Sequence, residues 1–188
     1  MKEIREILAD LNVEILSMKE AEILLDIDEN GSSFEENAVI KAKAVAGPPN
    51  AAGAVVLADD SGLEIDALNG EPGIYSARYL GEDTSYRIKN QNLIDRLEGV
   101  PDEKRTARFV CAIAAVFPGG ETVTTKGIIE GKIGYEERGT NGFGYDPIFY
   151  LPDMSRSTAE LLPEEKNAVS HRGNALREMK KELMLRFG

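Results

Sequence analysis

The chain has 188 residues, 42% of them hydrophobic and 29% charged, which suits one globular domain with a substantial core. Its 33 acids against 22 lysines and arginines leave a net charge of −11, a balance that argues against a nucleic-acid polymer as partner, since that partner wants a basic face. No apolar stretch approaches bilayer-spanning length, the charged start Met1-Lys2-Glu3-Ile4-Arg5-Glu6 does not suit a signal peptide, and a single cysteine allows no internal disulfide, so a reducing, cytoplasmic location away from membranes is expected.

Ile4, Ile7, Leu8 and Leu11 recur at helical spacing and predict an opening amphipathic helix. Val13 to Met18 reads as a short strand. Ser32 or Ser33 starts a second helix at Phe34-Glu35-Glu36-Asn37, and Gly47-Pro48-Pro49 ends it. The apolar run from Ala54 to Ala58 reads as a strand buried on both faces that stops at Asp59-Asp60-Ser61-Gly62. After a turn-rich segment, Asn69 to Gly73, Thr84 or Ser85 caps a helix whose Leu93, Ile94 and Leu97 face the core; Gly99-Val100-Pro101 closes it. Thr106 to Phe117 and Glu121 to Ile129, separated by Pro118-Gly119-Gly120, signal a hairpin, with Cys111 as a buried small hydrophobe. A glycine-rich stretch from Gly139 to Asp146 precedes a short apolar run, Pro147 to Leu151, and the tail is a helix with Leu176, Met179 and Leu183 on one face. No repeat, low-complexity tract or linker divides the chain, so a single α/β domain over residues 1–188 with a mixed sheet is expected.

Four places carry chemistry. Asp59 and Asp60 follow a buried strand, where open α/β sheets bind ligands, and adjacent carboxylates repel unless a cation sits between or beside them. A divalent metal is the candidate; the plainer alternative is a polar strand end. Glu36 likewise has two readings. In Ser33-Phe34-Glu35-Glu36 it fits a capping box, or it shares a metal with Asp60, since Mg²⁺ takes one or two carboxylates plus substrate phosphate oxygens. Phe143 stands between two glycines, in a flexible turn or as an exposed aromatic face for a base. Lys166-Asn167 and Ser170-His171-Arg172 bring donors to the start of the last helix, as a solvated surface or as a site for an anion or polar ligand.

Taken together, Ser33-Phe34-Glu35-Glu36-Asn37-Ala38, Ala58-Asp59-Asp60-Ser61-Gly62-Leu63, Pro72-Gly73-Ile74-Tyr75-Ser76-Ala77-Arg78-Tyr79, Asn141-Gly142-Phe143-Gly144-Tyr145-Asp146-Pro147 and Lys166-Asn167 with Ser170-His171-Arg172 resemble the Ham1-like inosine triphosphate pyrophosphatase family. The motifs occur in the family's order over nearly the whole chain. The resemblance implies an elongated, twisted mixed sheet with flanking helices and two lobes around a central nucleotide cleft. It also implies a homodimer that hydrolyses ITP, dITP and XTP to the monophosphate and pyrophosphate. Carried over residue by residue, it makes Glu36 and Asp60 ligands of Mg²⁺, with Asp60 also the catalytic base. Ser61 becomes a substrate contact, and Phe143, Gly144, Tyr145, Asp146, Lys166, His171 and Arg172 the base and ribose side. The Ser-His-Arg and Phe-Gly-Tyr-Asp motifs disfavour the related Maf-type pyrophosphatases. One departure stands out. Family members place a strand and a Ser/Thr-x-Asn-x-x-Lys phosphate loop before the helix matching Lys2 to Leu11, so the resemblance assigns no residue here to that lysine. The alternative expectation is therefore a weakly active or non-catalytic nucleotide binder.

Overall fold

The apolar period at Ile4, Ile7 and Leu8 produces helix α1 (Lys2–Ile7), continued by a 3₁₀ turn at Ala9–Leu11, in the computed structural model, which describes residues 1–187. The expected strand from Val13 to Met18 does not form. A strand needs a neighbour's ladder, and here side chains meet the backbone instead. Arg5 donates to the Ile15 carbonyl at 3.1 Å and to Glu20 at 2.8 Å. The Ser17 amide and hydroxyl also donate to Glu20. These bonds, the Ser17 amide's first and that from Arg5 next, hold the exposed Glu20 carboxyl at about 2.

Helix α2 (Phe34–Ala46) begins at Ser33, whose Oγ accepts from the Glu36 amide at 3.1 Å, as the cap signal predicts. The next strand departs from expectation. β1 (Val56–Ile65) does not stop at the acids but runs through Asp59-Asp60-Ser61-Gly62. Successive strand residues point to opposite faces, so each acid finds its own partner and the strand continues.

Helix α3 (Tyr86–Arg96) follows, then the hairpin of β2 (Thr106–Val116) and β3 (Thr122–Ile133), and the short β4 (Phe149–Tyr150). The sheet is four-stranded and antiparallel in the order β1-β2-β3-β4, with Lys132 opposite Tyr150 and Ile133 opposite Phe149. In the hairpin turn the Phe117 amide donates to the Glu121 carbonyl at 2.9 Å. Gly119 and Gly120 supply the φ of +101° and +92° that this turn requires. Lys166 and Asn167 do not open the last helix: they lie in a separate helix, α4 (Pro163–Val169), and α5 (His171–Phe187) starts after Ser170. Pro163 suits a first helical position, and the extended Ser170 (ψ 149°) breaks the run.

The chain divides into two compact units. The first comprises Met1–Asp60, Cys111–Gly127 and the residues from His171 on. Its core joins Leu8 to Cys111, Ile113, Ala115 and Phe117 of the hairpin and to Ala175, Leu176, Met179 and Leu183 of α5. Ser61–Val110 and Ile128–Ser170 form the second unit, around Leu63, Ile65, Leu93, Leu97, Phe109, Ile133, Ile148 and Phe149. There Arg105, 1% exposed, donates to the carbonyls of Leu97, Ile133 and Gly134, each at 2.8 Å, and so ties the end of α3 to the end of β3. Among the described residues, no helix is long and apolar enough to cross a membrane.

Candidate functional site

In the first unit, Asp60 is 9% exposed. Its Oδ2 accepts from Asn37 Nδ2 and its Oδ1 from Lys41 Nζ, both at 3.2 Å. Asn37 and Lys41 stand one turn apart on α2, so one helix face grips the carboxylate. Lys41 also donates to Glu29 at 3.0 Å. Burial pushes the Asp60 carboxyl up, and one ammonium divided between two acids offsets only part of that. Burial likewise works to lower Lys41, but Glu29 and Asp60 together hold it up.

Glu36 sits on the same turn as Asn37. Its carboxylate turns back, Oε2 accepting from the Ser32 amide and hydroxyl at 2.7 Å each. The capping reading is therefore half right. Ser33 caps Glu36, but Glu36 reaches the residue before the cap. The Ser32 hydroxyl, and then its amide, hold the Glu36 carboxyl below the usual carboxylate range, so it stays ionised. Asn37 closes the arrangement, its Oδ1 accepting from the Gly31 amide at 2.8 Å. A Cβ on Gly31 would come within 2.7 Å of Asn37 Oδ1 and 2.8 Å of Glu36 Cβ, so only glycine lets this segment lie against the turn.

The donor set suits a hard cation. Glu36 and Asp60 offer carboxylate oxygens, and the Asn37 amide ties Asp60 to the helical turn that bears Glu36. Among the described residues, no group of three or more histidine, cysteine or acidic side chains is arranged for a metal. Two carboxylates match an ion that takes its remaining ligands from substrate and water, as Mg²⁺ does.

Asp59 goes elsewhere. Its Oδ2 accepts from Arg172 Nε at 3.1 Å and Nη2 at 2.8 Å, at the start of α5. Each of the adjacent acids thus has a cation beside it, as the period of the strand allows: Asp59 pairs with Arg172, Asp60 with Lys41. His171 immediately precedes Arg172 in α5. That helix start packs on β3, where Thr125 Oγ1 donates to the Ala175 carbonyl at 2.9 Å.

The second unit gathers Phe143, Asp146 and Lys166. Asp146, 3% exposed, is ion-paired to Lys166. It accepts from the Phe143 amide and from Thr158 Oγ1, both at 2.8 Å. The Lys166 ammonium lies 5.0 Å from the centroid of the Phe143 ring, which is 68% exposed. Gly142 and Gly144, with φ of +75° and +65°, bend the backbone sharply around Phe143. Tyr145 serves the core instead. Its hydroxyl donates to the Ser76 carbonyl at 2.6 Å, its ring meets Tyr86 edge-on at 5.2 Å, and burial pushes its phenol up. Ser61, half-buried in β1, is the first residue of this unit.

The structure therefore brings Glu36, Asp60, His171 and Arg172 into the first unit and Ser61, the Phe143 loop and Lys166 into the second. Sequence reasoning missed Asn37 and Lys41 as holders of Asp60, although their four-residue spacing was a signal. Glu29 and Thr158 gave none.

The sequence profile of the Ham1 family matches residues 1–182. A dITP/XTP pyrophosphatase of Exiguobacterium sibiricum is 46% identical over 186 residues, covering 99% of this chain and 92% of that protein. The dITP/XTP pyrophosphatase of Bacillus subtilis is 47% identical over 183 residues, covering 97% and 91%. Among solved structures, the Staphylococcus aureus Ham1 protein matches with a TM-score of 0.87 at 42% identity, covering 98% of this chain and 93% of its own. A HAM1 protein from Coxiella burnetii gives 0.88 at 44% identity, covering 98% and 92%.

Proposed function

The chain belongs to the Ham1 family, and from that premise we propose that it hydrolyses dITP, ITP and XTP to the nucleoside monophosphate and pyrophosphate, with Glu36 and Asp60 as ligands of Mg²⁺ and Asp60 as the catalytic base. The observation that carries the reading is the Asp60 carboxylate, buried in mid-strand and tied by Asn37 to the turn that bears Glu36. Bound there, Mg²⁺ supplies Lewis acidity and offsets the charge of the phosphates. The protein's own groups do the rest. Asp60 takes a proton from the water that attacks the α-phosphorus, the bond from that phosphorus to the α–β bridging oxygen breaks, pyrophosphate leaves with the bonding electron pair, and Asp60 then passes its proton to solvent. Lys41 holds that carboxylate in place and keeps part of its charge balanced. Ser32 keeps Glu36 ionised and directed.

On the base side, Phe143 offers an exposed ring for stacking, and Ser61 contacts the substrate. Gly144, Tyr145 and Asp146 shape the loop and fix its lysine, with His171 and Arg172 as further polar contacts. Lys166 only donates hydrogen bonds. A 6-oxo purine accepts from it, whereas the 6-amino group of adenine opposes donor with donor. The same reading makes the protein a cytoplasmic homodimer that draws on the free nucleotide pool, as the family resemblance implies.

The test is product analysis after incubation with dITP or XTP and Mg²⁺. Equimolar monophosphate and pyrophosphate are expected, with dATP slower by on the order of 10⁴-fold. A chain that only binds nucleotide releases neither product. Release of orthophosphate, or equal rates on dATP, would contradict the reading.

A further inference from the structure

We propose that Asn90 is a positioning residue for the loop from Gly142 to Asp146, fixing the backbone that presents the Phe143 ring; this rests on the reading of that loop as the base side of the site. Asn90 lies on α3 and is 1% exposed. Its Nδ2 donates to the Gly144 carbonyl at 3.3 Å and to Glu137 Oε1 at 2.8 Å. Its Oδ1 is buried and has no hydrogen-bond partner among the described residues. A buried acceptor without a partner costs stability, and an apolar side chain of similar size would avoid that cost. What the amide holds through Nδ2 is therefore what distinguishes it from such a side chain.

The orientation is set by its neighbours. Turning the amide over would bring Oδ1 against a carboxylate and a carbonyl, both acceptors, so Glu137 fixes Nδ2 toward Gly144. Gly144 has φ of +65°, a region in which glycine carries no side chain to lock its peptide. The bond to its carbonyl fixes the plane of the peptide leading to Tyr145. On the other side of the loop, Asp146 fixes the Phe143 amide at 2.8 Å. Phe143 is thus held through its backbone from both sides, which matters because its ring is 68% exposed and gains little from packing. Tyr86, one turn before Asn90 on α3, meets Tyr145 edge-on at 5.2 Å and supports the same loop.

The test uses Asn90→Ala and Asn90→Leu. In the leucine variant an apolar side chain of similar size removes the partnerless buried oxygen and the exposed Glu137 carboxylate turns to water, while the Gly144 carbonyl loses its donor. Amide hydrogen exchange across residues 142–146 of the free protein is expected to accelerate in both variants. KM for dITP is expected to rise about tenfold, as for the loss of one hydrogen bond, with kcat within about twofold of the parent. The leucine variant is expected to melt close to the parent, so a general loss of fold does not account for its KM. An unchanged KM in the leucine variant overturns the proposal, whatever the exchange rates. If the parent does not turn over dITP, the proposed function falls, and the role of Asn90 is decided by exchange alone: acceleration confined to the loop supports it, and parental rates overturn it.

Discussion

Asp60→Asn is expected to lower turnover of dITP by about 10²–10⁴-fold, the range for loss of a positioned general base, while the protein stays folded. The amide has nearly the same shape as the carboxylate but keeps only one of the two oxygens that accept from Asn37 and Lys41, so one of those two bonds is lost. Its effect on stability follows from the direction of the pKa shift. Burial raises the Asp60 carboxyl above its ordinary value of 3.8, so the folded state disfavours the ionised form relative to the unfolded chain. That penalty grows as pH rises from the ordinary carboxylate value through the raised one and is fully present above it. A neutral amide removes the penalty, and Lys41 retains Glu29. Melting and steady-state rates measured on the same preparation separate the two effects. A variant that melts like the parent and turns over dITP at a near-parental rate would remove Asp60 from the mechanism.

The second large effect is one of packing. Gly127→Ala is expected to destabilise the protein by about 3 kcal/mol, at the upper end of overpacking costs. That corresponds to a fall in Tm of roughly 6–12 °C, at about 2–4 °C per kcal/mol for a chain of this size. A Cβ on Gly127 would overlap the His171 carbonyl oxygen and the Ala175 nitrogen and lie within 2.9 Å of Asn174 Cβ. Backbone atoms cannot swing away as the end of a lysine can, so α5 must shift on β3. The helix start carries His171 and Arg172, so the Arg172 pair with Asp59 moves with it. Gly119→Ala makes the contrast. Its φ of +101° strains any Cβ, but nothing lies within 4 Å of it, so its effect is backbone strain alone, about 1–2 kcal/mol. A Tm unchanged by Gly127→Ala would contradict the close approach of β3 and α5.

Much of the fold was legible because local patterns and tertiary packing agree. The helix at Phe34 starts at the predicted cap, the hairpin turns at Pro118-Gly119-Gly120, and Leu176, Met179 and Leu183 are buried on one face of α5. The failures have a common cause, which is partners distant in sequence. Val13 to Met18 reads as a short strand, but Arg5 and Glu20 bind that segment in place of a ladder. Asp59 and Asp60 look like a strand end because charge usually marks one. Arg172, 113 residues away, and Lys41, 19 residues away, let the strand run through them. The candidate site residues were picked out through family motifs, not through spacing. Of their supports, Asn37 and Lys41 left a signal in their four-residue spacing, whereas Glu29, Thr158 and Asn90 act through contacts that no local pattern encodes.

The central claim is that the carboxylates of Glu36 and Asp60 bind one Mg²⁺ for the substrate's phosphates. A crystal structure of the protein with Mg²⁺ and a non-hydrolysable dITP analogue tests it most directly. The expected result is a single octahedral ion with oxygens of both residues at about 2.1 Å and phosphate oxygens among its other ligands. An ion held on the phosphates with no oxygen of Glu36 or Asp60 among its ligands would contradict the account.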